Sequence, residues 1–176
     1  MIVTNDDTIA EEARVYRDQG KGSFLANFHT RLGHNWRMSE PHAAIALVQL
    51  RRLDEFIARR EAIAAVYDAT VAALGLTPVT IAPAAVTNRY KYIVRLPTGV
   101  DRSVLKKRLR EEWDVSLSGE VYEVPLHRQP VFERWSTQSL PGADEACARH
   151  VCLPVSAVMT TDQADYVVGA LQAELQ

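Results

Sequence analysis

Lysine and cysteine are both scarce in this sequence. Only four lysines, Lys21, Lys91, Lys106 and Lys107, stand against 16 arginines, so chemistry that needs a side-chain amine has few candidates. Two cysteines, Cys147 and Cys152, make no disulfide framework and fit a reducing, cytoplasmic compartment. With His150 they spell C-x-x-H-x-C. Three ligands crowded into six residues without a distant fourth do not form a usual zinc pattern, and no metal is expected. A net charge of −2 and a pI near 6.2 provide no basic field for nucleic acid or an acidic membrane surface. No apolar run approaches the roughly 20 residues of a membrane span. The opening "MIVTNDD" lacks the basic and long apolar parts of a signal peptide.

What is present suits a packed globular chain, with 47% apolar and 24% charged residues. "MIVT" is a strand candidate with no element before it. Asn5 or Asp6 can cap a helix running to about Gln19, with Gly20 just beyond its end. Residues 20–38 hold three Gly, two Phe, two His and three cations without a sustained period; a loop this long is usually functional. Ser39, Glu40 and Pro41 then open the longest periodic segment, which runs to about Leu74 as one spine helix or two with a bend. Leu50, Leu53, Ile57, Ala64 and Val71 share its apolar stripe, and Glu55 pairs with Arg59 on the wet side.

After Gly75 the pattern changes. "TPVTI" and "RYKYIVRLP" read as strands, Asp101 caps a helix, and "VSLSGEVYEVPLH" reads as one or two extended pieces. Residues 130–140 look irregular, 143–151 helical, and "HVCLPV" resembles a short buried strand. A last helix starts at Thr160, whose spacing to Gln163 fits a capping box. This second part is a compact α+β unit. The first 75 residues leave apolar faces uncovered and need a partner.

The helix entrance "GHNWRMSEP" carries more than a cap requires. Asn35 alone reads as a helix-region residue satisfying backbone groups, Trp36 as packing, and His127 as a hydrogen-bonded surface histidine. His29, His34 and His42 have no metal-like partners. The surrounding stations change that reading. "MIVTNDDTIAEEARVYRDQG", "GHNWRMSEPHAAIALVQLRRLDEFIARREAIAAVY", "VYEVPLHRQPVF" and "VCLPV" resemble, in order and spacing, stations of the DegT/StrS-type sugar aminotransferases. These are pyridoxal 5′-phosphate enzymes of the aspartate aminotransferase fold. The G-x-N-[WY]-R-M-[ST] and P-L-H-x-Q-P stations are the specific ones.

The resemblance implies an α/β fold class: the carboxy-terminal part of a fold type I aminotransferase. It would comprise an α+β small domain, a long connecting helix, and a residual strand and helix of the large domain. Residues 1–38 would end the large domain and include its crossing loop, 39–76 would form the connecting helix or helices, and 77–176 the small domain. Asn35 matches the family Asn that reaches across a dimer interface to the cofactor phosphate, a role suited to a neutral amide donor. Arg37 matches an Arg that pairs with Glu or phosphate. Arg31, with Lys21, is expected to meet the diphosphate of a nucleotide sugar. Tyr122 and His127 match residues lining the sugar side of the pocket. Val121 replaces the first His of the usual H-Y-x-x-P-L-H run.

The resemblance also exposes a gap. Such a transaminase, which passes an amino group from Glu or Gln to a keto sugar in ping-pong fashion during deoxysugar biosynthesis, needs a Lys bonded to the cofactor aldehyde. It also needs an Asp at the pyridinium nitrogen. Both lie upstream of the station matching Met1, and none of the four lysines here has the family's setting. The expectation is therefore a truncated chain without catalytic residues of its own, not binding pyridoxal phosphate alone. Its expected partners are an amino-terminal large domain, a second copy through residues 20–74, and a nucleotide sugar. A non-catalytic dimerisation or binding remnant is the alternative.

Overall fold

Asp6 opens the first helix by accepting the backbone N–H groups of Thr8 and Ile9 at 2.8 and 3.1 Å. The computed structural model describes residues 1–23, 27–117, 119–135 and 138–176, which divide into two units, Met1–Arg52 and Leu53–Gln176. In the first unit, α1 (Asp7–Arg17) ends where the Asp18 N–H reaches back to the carbonyls of Arg14 and Val15. The chain reverses through Gln19 and Gly20, at φ 64° and 82°. Residues 34–36 then return along the helix end: His34 N–H donates to Tyr16, Gln19 N–H to His34, and Trp36 N–H to Arg17, at 2.8–3.0 Å.

That return requires glycine twice. A Cβ on Gly20 would lie 1.8 Å from the Arg31 carbonyl oxygen, and one on Gly33 would lie 2.1 Å from the Gly20 nitrogen. Helix α2 (Glu40–Arg51) follows, with a proline in its first turn. The Ser39 hydroxyl lies 2.7 Å from His42 Nδ1 and makes no bond to the helix backbone. No α2 residue is buried, and Ile45, Leu47, Val48 and Leu50 are exposed.

The expected opening strand needs correction. Residues 1–4 form no strand. Pairing needs a neighbour, and the three named strands among the described residues pair with one another in the second unit. Of the two alternatives for the long periodic run, two helices form. Arg52 N–H bonds to the Gln49 carbonyl, three residues back, tightening the last turn of α2 before α3 (Leu53–Thr70) begins. Of the expected stripe, Ala64 and Val71 are fully buried, whereas Leu50 and Leu53 are exposed. The Glu55–Arg59 pair forms at 2.6 Å.

The second unit is built on a three-stranded antiparallel sheet in the order β1 (Thr77–Pro78), β2 (Tyr92–Arg95), β3 (His150–Leu153). Tyr92 pairs with Leu153 and Arg95 with His150. Helices α3, α4 (Arg102–Trp113) and α6 (Thr161–Leu175) join the sheet in one apolar core. Ile63, Tyr67, Val94, Leu109, Val151 and Leu171 lie at its centre. Asp101 caps α4, and the Thr160–Gln163 capping box opens α6 in both directions. Helix α5 (Pro141–Arg149) runs directly into β3.

The expected extended pieces after Asp114 do not form strands among the described residues; Ser118 lies outside them. Short 3₁₀ turns at Leu126–Arg128 and Pro130–Trp135 take their place. Pro125 and Pro130 have no N–H to donate to a ladder, which disfavours sheet extension here. Cys152 is buried within β3 and Cys147 lies on α5. His150 Nδ1 lies 2.7 Å from the Ala146 carbonyl, and its Nε2 accepts the Val121 N–H at 3.2 Å. Both ring nitrogens are thus occupied, which fixes the proton on Nδ1.

The Tyr67 hydroxyl, deep in this core, donates to the Pro154 carbonyl at 2.7 Å and ties α3 to the segment following β3. Burial raises its pKa above the ordinary value, so it remains a donor. Tyr67→Phe leaves that carbonyl without its donor. It should destabilise the second unit by about 1–2 kcal/mol, read as a lower urea midpoint with unchanged slope.

Candidate functional site

The sequence-predicted residues fall into two groups, one in each unit. In the first, Asn35 is exposed and forms an isolated antiparallel bridge with Asp18. Arg37 Nε donates to Asn35 Oδ1 at 3.1 Å, and Arg37 Nη1 lies 3.2 Å from Asp18 Oδ1. The amide oxygen is therefore engaged, while the N–H₂ group points away from that contact as a double donor. Arg31 is ion-paired with Glu12, and its guanidinium lies 5.6 Å from the Tyr16 ring centroid. Lys21 forms an isolated bridge with His29. The rings of His34 and Trp36 stack at 4.1 Å with planes 8° apart.

In the second unit, Tyr122 is exposed and His127 sits in the turn after Pro125, with its side chain 14% exposed. His127 Nε2 lies 3.4 Å from Asp144 Oδ1 in the first turn of α5. Arg128 grips both oxygens of the same carboxylate, at 2.5 and 2.8 Å. The hydrogen bond from Arg128 holds the Asp144 carboxyl below the usual carboxylate range, with the charges of Arg128 and His127 adding to it. Nearby, Glu120 binds Lys106 at 2.7 Å. Burial, the strongest influence on Glu120, pushes its pKa up. The hydrogen bond from Lys106, a backbone hydrogen bond and the charges of Lys106 and Arg102 together outweigh that and keep it low.

Sequence reasoning did not single out Asp18, Glu12, Asp144 or Arg128. Each contacts a predicted residue across a gap of at least 16 positions, or sits beside one, as Arg128 does beside His127. No local spacing signals such contacts. A groove of about 690 Å³ lies between the segment after β3 and the start of α6, and its walls contain none of the predicted residues. Among the described residues no cluster of His, Cys, Asp or Glu is arranged to hold a metal. No helix among them is long and apolar enough to cross a membrane.

Lys21 lines a groove with Arg17 and Asp18 at the end of α1, and the other three lysines lie in the second unit. Lys91 Nζ donates to the Gly119 carbonyl at 2.8 Å, Lys106 is held by Glu120, and Lys107 lies exposed on α4. The phosphate end of a pyridoxal cofactor fits the Asn35 donor group. Its aldehyde end would need a lysine amine, and Lys91 and Lys106 are already engaged by Gly119 and Glu120.

The model of the DegT/DnrJ/EryC1/StrS aminotransferase family matches residues 1–172. The chain is 32% identical to the GDP-perosamine synthase of Caulobacter vibrioides over 179 residues, covering 99% of this chain and 47% of that protein. It is 35% identical to a pleiotropic regulatory protein of Geobacillus stearothermophilus over 175 residues, covering 96% of this chain and 45% of that one. The chain thus spans about half the length of the curated relatives it matches. Among solved structures, DesV of S. venezuelae, crystallised with a ketimine intermediate, superposes with a TM-score of 0.87 at 28% identity. That match covers 99% of this chain and 46% of DesV. The aminotransferase TlmJ of Streptoalloteichus hindustanus gives 0.81 at 30% identity, covering 97% and 46%. The fold is that of fold type I aminotransferases, as the resemblance implied.

The Asp144 site makes a pH prediction. Its folded pKa is depressed, so the pair with Arg128 contributes stability above the ordinary carboxylate pKa and loses it as pH falls through the lower, folded value. A carboxyl-carbon NMR titration should place the Asp144 midpoint below that of an unpaired Asp, and Arg128→Gln should raise it.

Proposed function

Because this chain belongs to the DegT/DnrJ/EryC1/StrS aminotransferase family, we propose that it forms the carboxy-terminal portion of a pyridoxal 5′-phosphate-dependent sugar aminotransferase. The complete enzyme would move an amino group from Glu or Gln onto a keto sugar carried by a nucleotide, in the cytoplasm. The family match along nearly the whole chain carries this reading. The outward amide of Asn35 supports it at the level of a single residue.

When bound, the cofactor supplies the electron sink that lets an amino group change carbon partners. This chain's part is to bind and orient. Asn35 donates its N–H₂ to the phosphate of a neighbouring subunit's cofactor, and Arg37 adds a positive charge beside it. Arg31, released from Glu12, and Lys21 face a diphosphate. Tyr122 and His127 bound the sugar, with Asp144 holding His127 Nε2 so that Nδ1 is left for a substrate oxygen. In this enzyme residues 1–38 end the large domain, 39–76 connect, and 77–176 form the small domain. The second copy docks through residues 20–74, where α2 offers Ile45, Val48 and Leu50. That same exposed face favours the second reading, a dimerising module without catalysis.

The missing amine separates the two readings. Incubated with pyridoxal phosphate and borohydride, the chain alone should gain no stoichiometric label on any one lysine. Mixed with an amino-terminal segment carrying the family Lys, it should gain transaminase activity. A full label on one of its own lysines removes the division of labour, and a mixture that binds but never transaminates favours the module. In the active assembly, Asn35→Ala should weaken cofactor retention by about 1–3 kcal/mol, as for a lost hydrogen bond to a charged group. Unchanged retention removes the phosphate role.

A further inference from the structure

Asp18 closes α1, and its side chain is only 13% exposed. A carboxylate this covered is costly unless a positive charge answers it. The answer comes from Arg37, whose Nη1 lies 3.2 Å from Asp18 Oδ1. The contact is coulombic, because Oδ1 receives no directed hydrogen bond. The same guanidinium uses its Nε to donate to Asn35 Oδ1 at 3.1 Å. One cation therefore joins a largely covered carboxylate to an exposed amide. The backbone bridge between Asp18 and Asn35 brings all three groups to the same place, and the Gly20–Gly33 approach makes that bridge possible.

We propose that Asp18 is a positioning residue: through Arg37 it holds the Asn35 carboxamide with its oxygen turned inward and its N–H₂ turned out toward an anionic oxygen. Without the carboxylate, Arg37 is free to swing, and the amide can rotate and present its oxygen, which repels a phosphate. The proposal rests on the phosphate role given to Asn35 above. It makes a prediction that simple electrostatics opposes. Asp18→Asn removes a negative charge next to an anion site, which by Coulomb's law should improve anion binding. Loss of orientation should weaken it instead.

Two measurements test this. In the 176-residue chain, the Asn35 side-chain N–H₂ resonances, identified by their disappearance in Asn35→Ala, should show restricted motion by ¹⁵N relaxation. Asp18→Asn and Arg37→Lys should each mobilise them while the Val15 and Tyr16 backbone signals stay in place. A mobile amide in the unaltered chain, or an amide still ordered in either variant, overturns the proposal. Arg37→Lys carries the test should Asp18→Asn fail to fold. In the assembled enzyme, Asp18→Asn should bind pyridoxamine 5′-phosphate about tenfold more weakly, the scale of one hydrogen bond. Its affinity for pyridoxamine, which lacks the phosphate, should not change. Equal weakening of both, or a gain for the phosphate form, overturns it. If Asn35→Ala leaves the phosphate form unaffected, the phosphate reading fails, whereas an effect of Asn35→Ala without one of Asp18→Asn sinks only the role of Asp18.

Discussion

The approach of Gly20 to the 31–33 backbone is the constraint on which the first unit depends. A side chain at either Gly20 or Gly33 would overlap main-chain atoms, which cannot move aside as a flexible side chain can. With both positions bare, residues 34–36 run against the end of α1 and satisfy backbone groups that a helix terminus leaves open. The polar crowding at this helix entrance follows from that arrangement. Asn35 and Arg37 lie where the returning segment faces Asp18, and the rings of His34 and Trp36 stack on each other. The helix they precede begins after Ser39 with a proline in its first turn and no side-chain cap.

The second unit is organised differently. Its sheet is short, with two residues in β1 and four each in β2 and β3, so ladder hydrogen bonds alone cannot hold it. The core does that work through side chains from three helices, and two tyrosines extend it with polar ties. Tyr67 reaches Pro154, while Tyr92 donates to Asp68 at 2.6 Å, an oxygen pair that Arg89 also grips at 3.1 Å. The rings of Tyr67 and Tyr92 meet at 5.0 Å. A buried apolar body with a hydrogen-bonded tip lets one residue serve both packing and register. His150 does the same at the sheet edge, where its ring joins α5 to the chain at Val121.

What could be read from the sequence was local. The caps at Asp6, Asp101 and Thr160 are written in three or four consecutive residues, and all three form. The β2 and β3 strands show as alternating and apolar runs. The break at Arg52 has no such signature, because arginine is a good helix former and the interruption is a matter of hydrogen-bond spacing. The strand expected at 1–4 failed for the opposite reason: its residues suit a strand, but strand formation belongs to a pair. Likewise the motif around Asn35 and Arg37 singles those residues out in the sequence, whereas Asp18 and Asp144 contact residues far along the chain and became visible only through geometry.

This difference also bears on how the chemistry is divided. Groups that bind by hydrogen bonding or charge can be contributed from a distance, since an amide or guanidinium needs only to be aimed. A covalent amine, by contrast, must share a pocket with the carbon it attacks. Both patches set a carboxylate behind a polar side chain: Asp18 reaches Asn35 through Arg37, and Asp144 contacts His127 directly. In both, the carboxylate is already matched by an arginine, so its charge is largely spent before a ligand arrives.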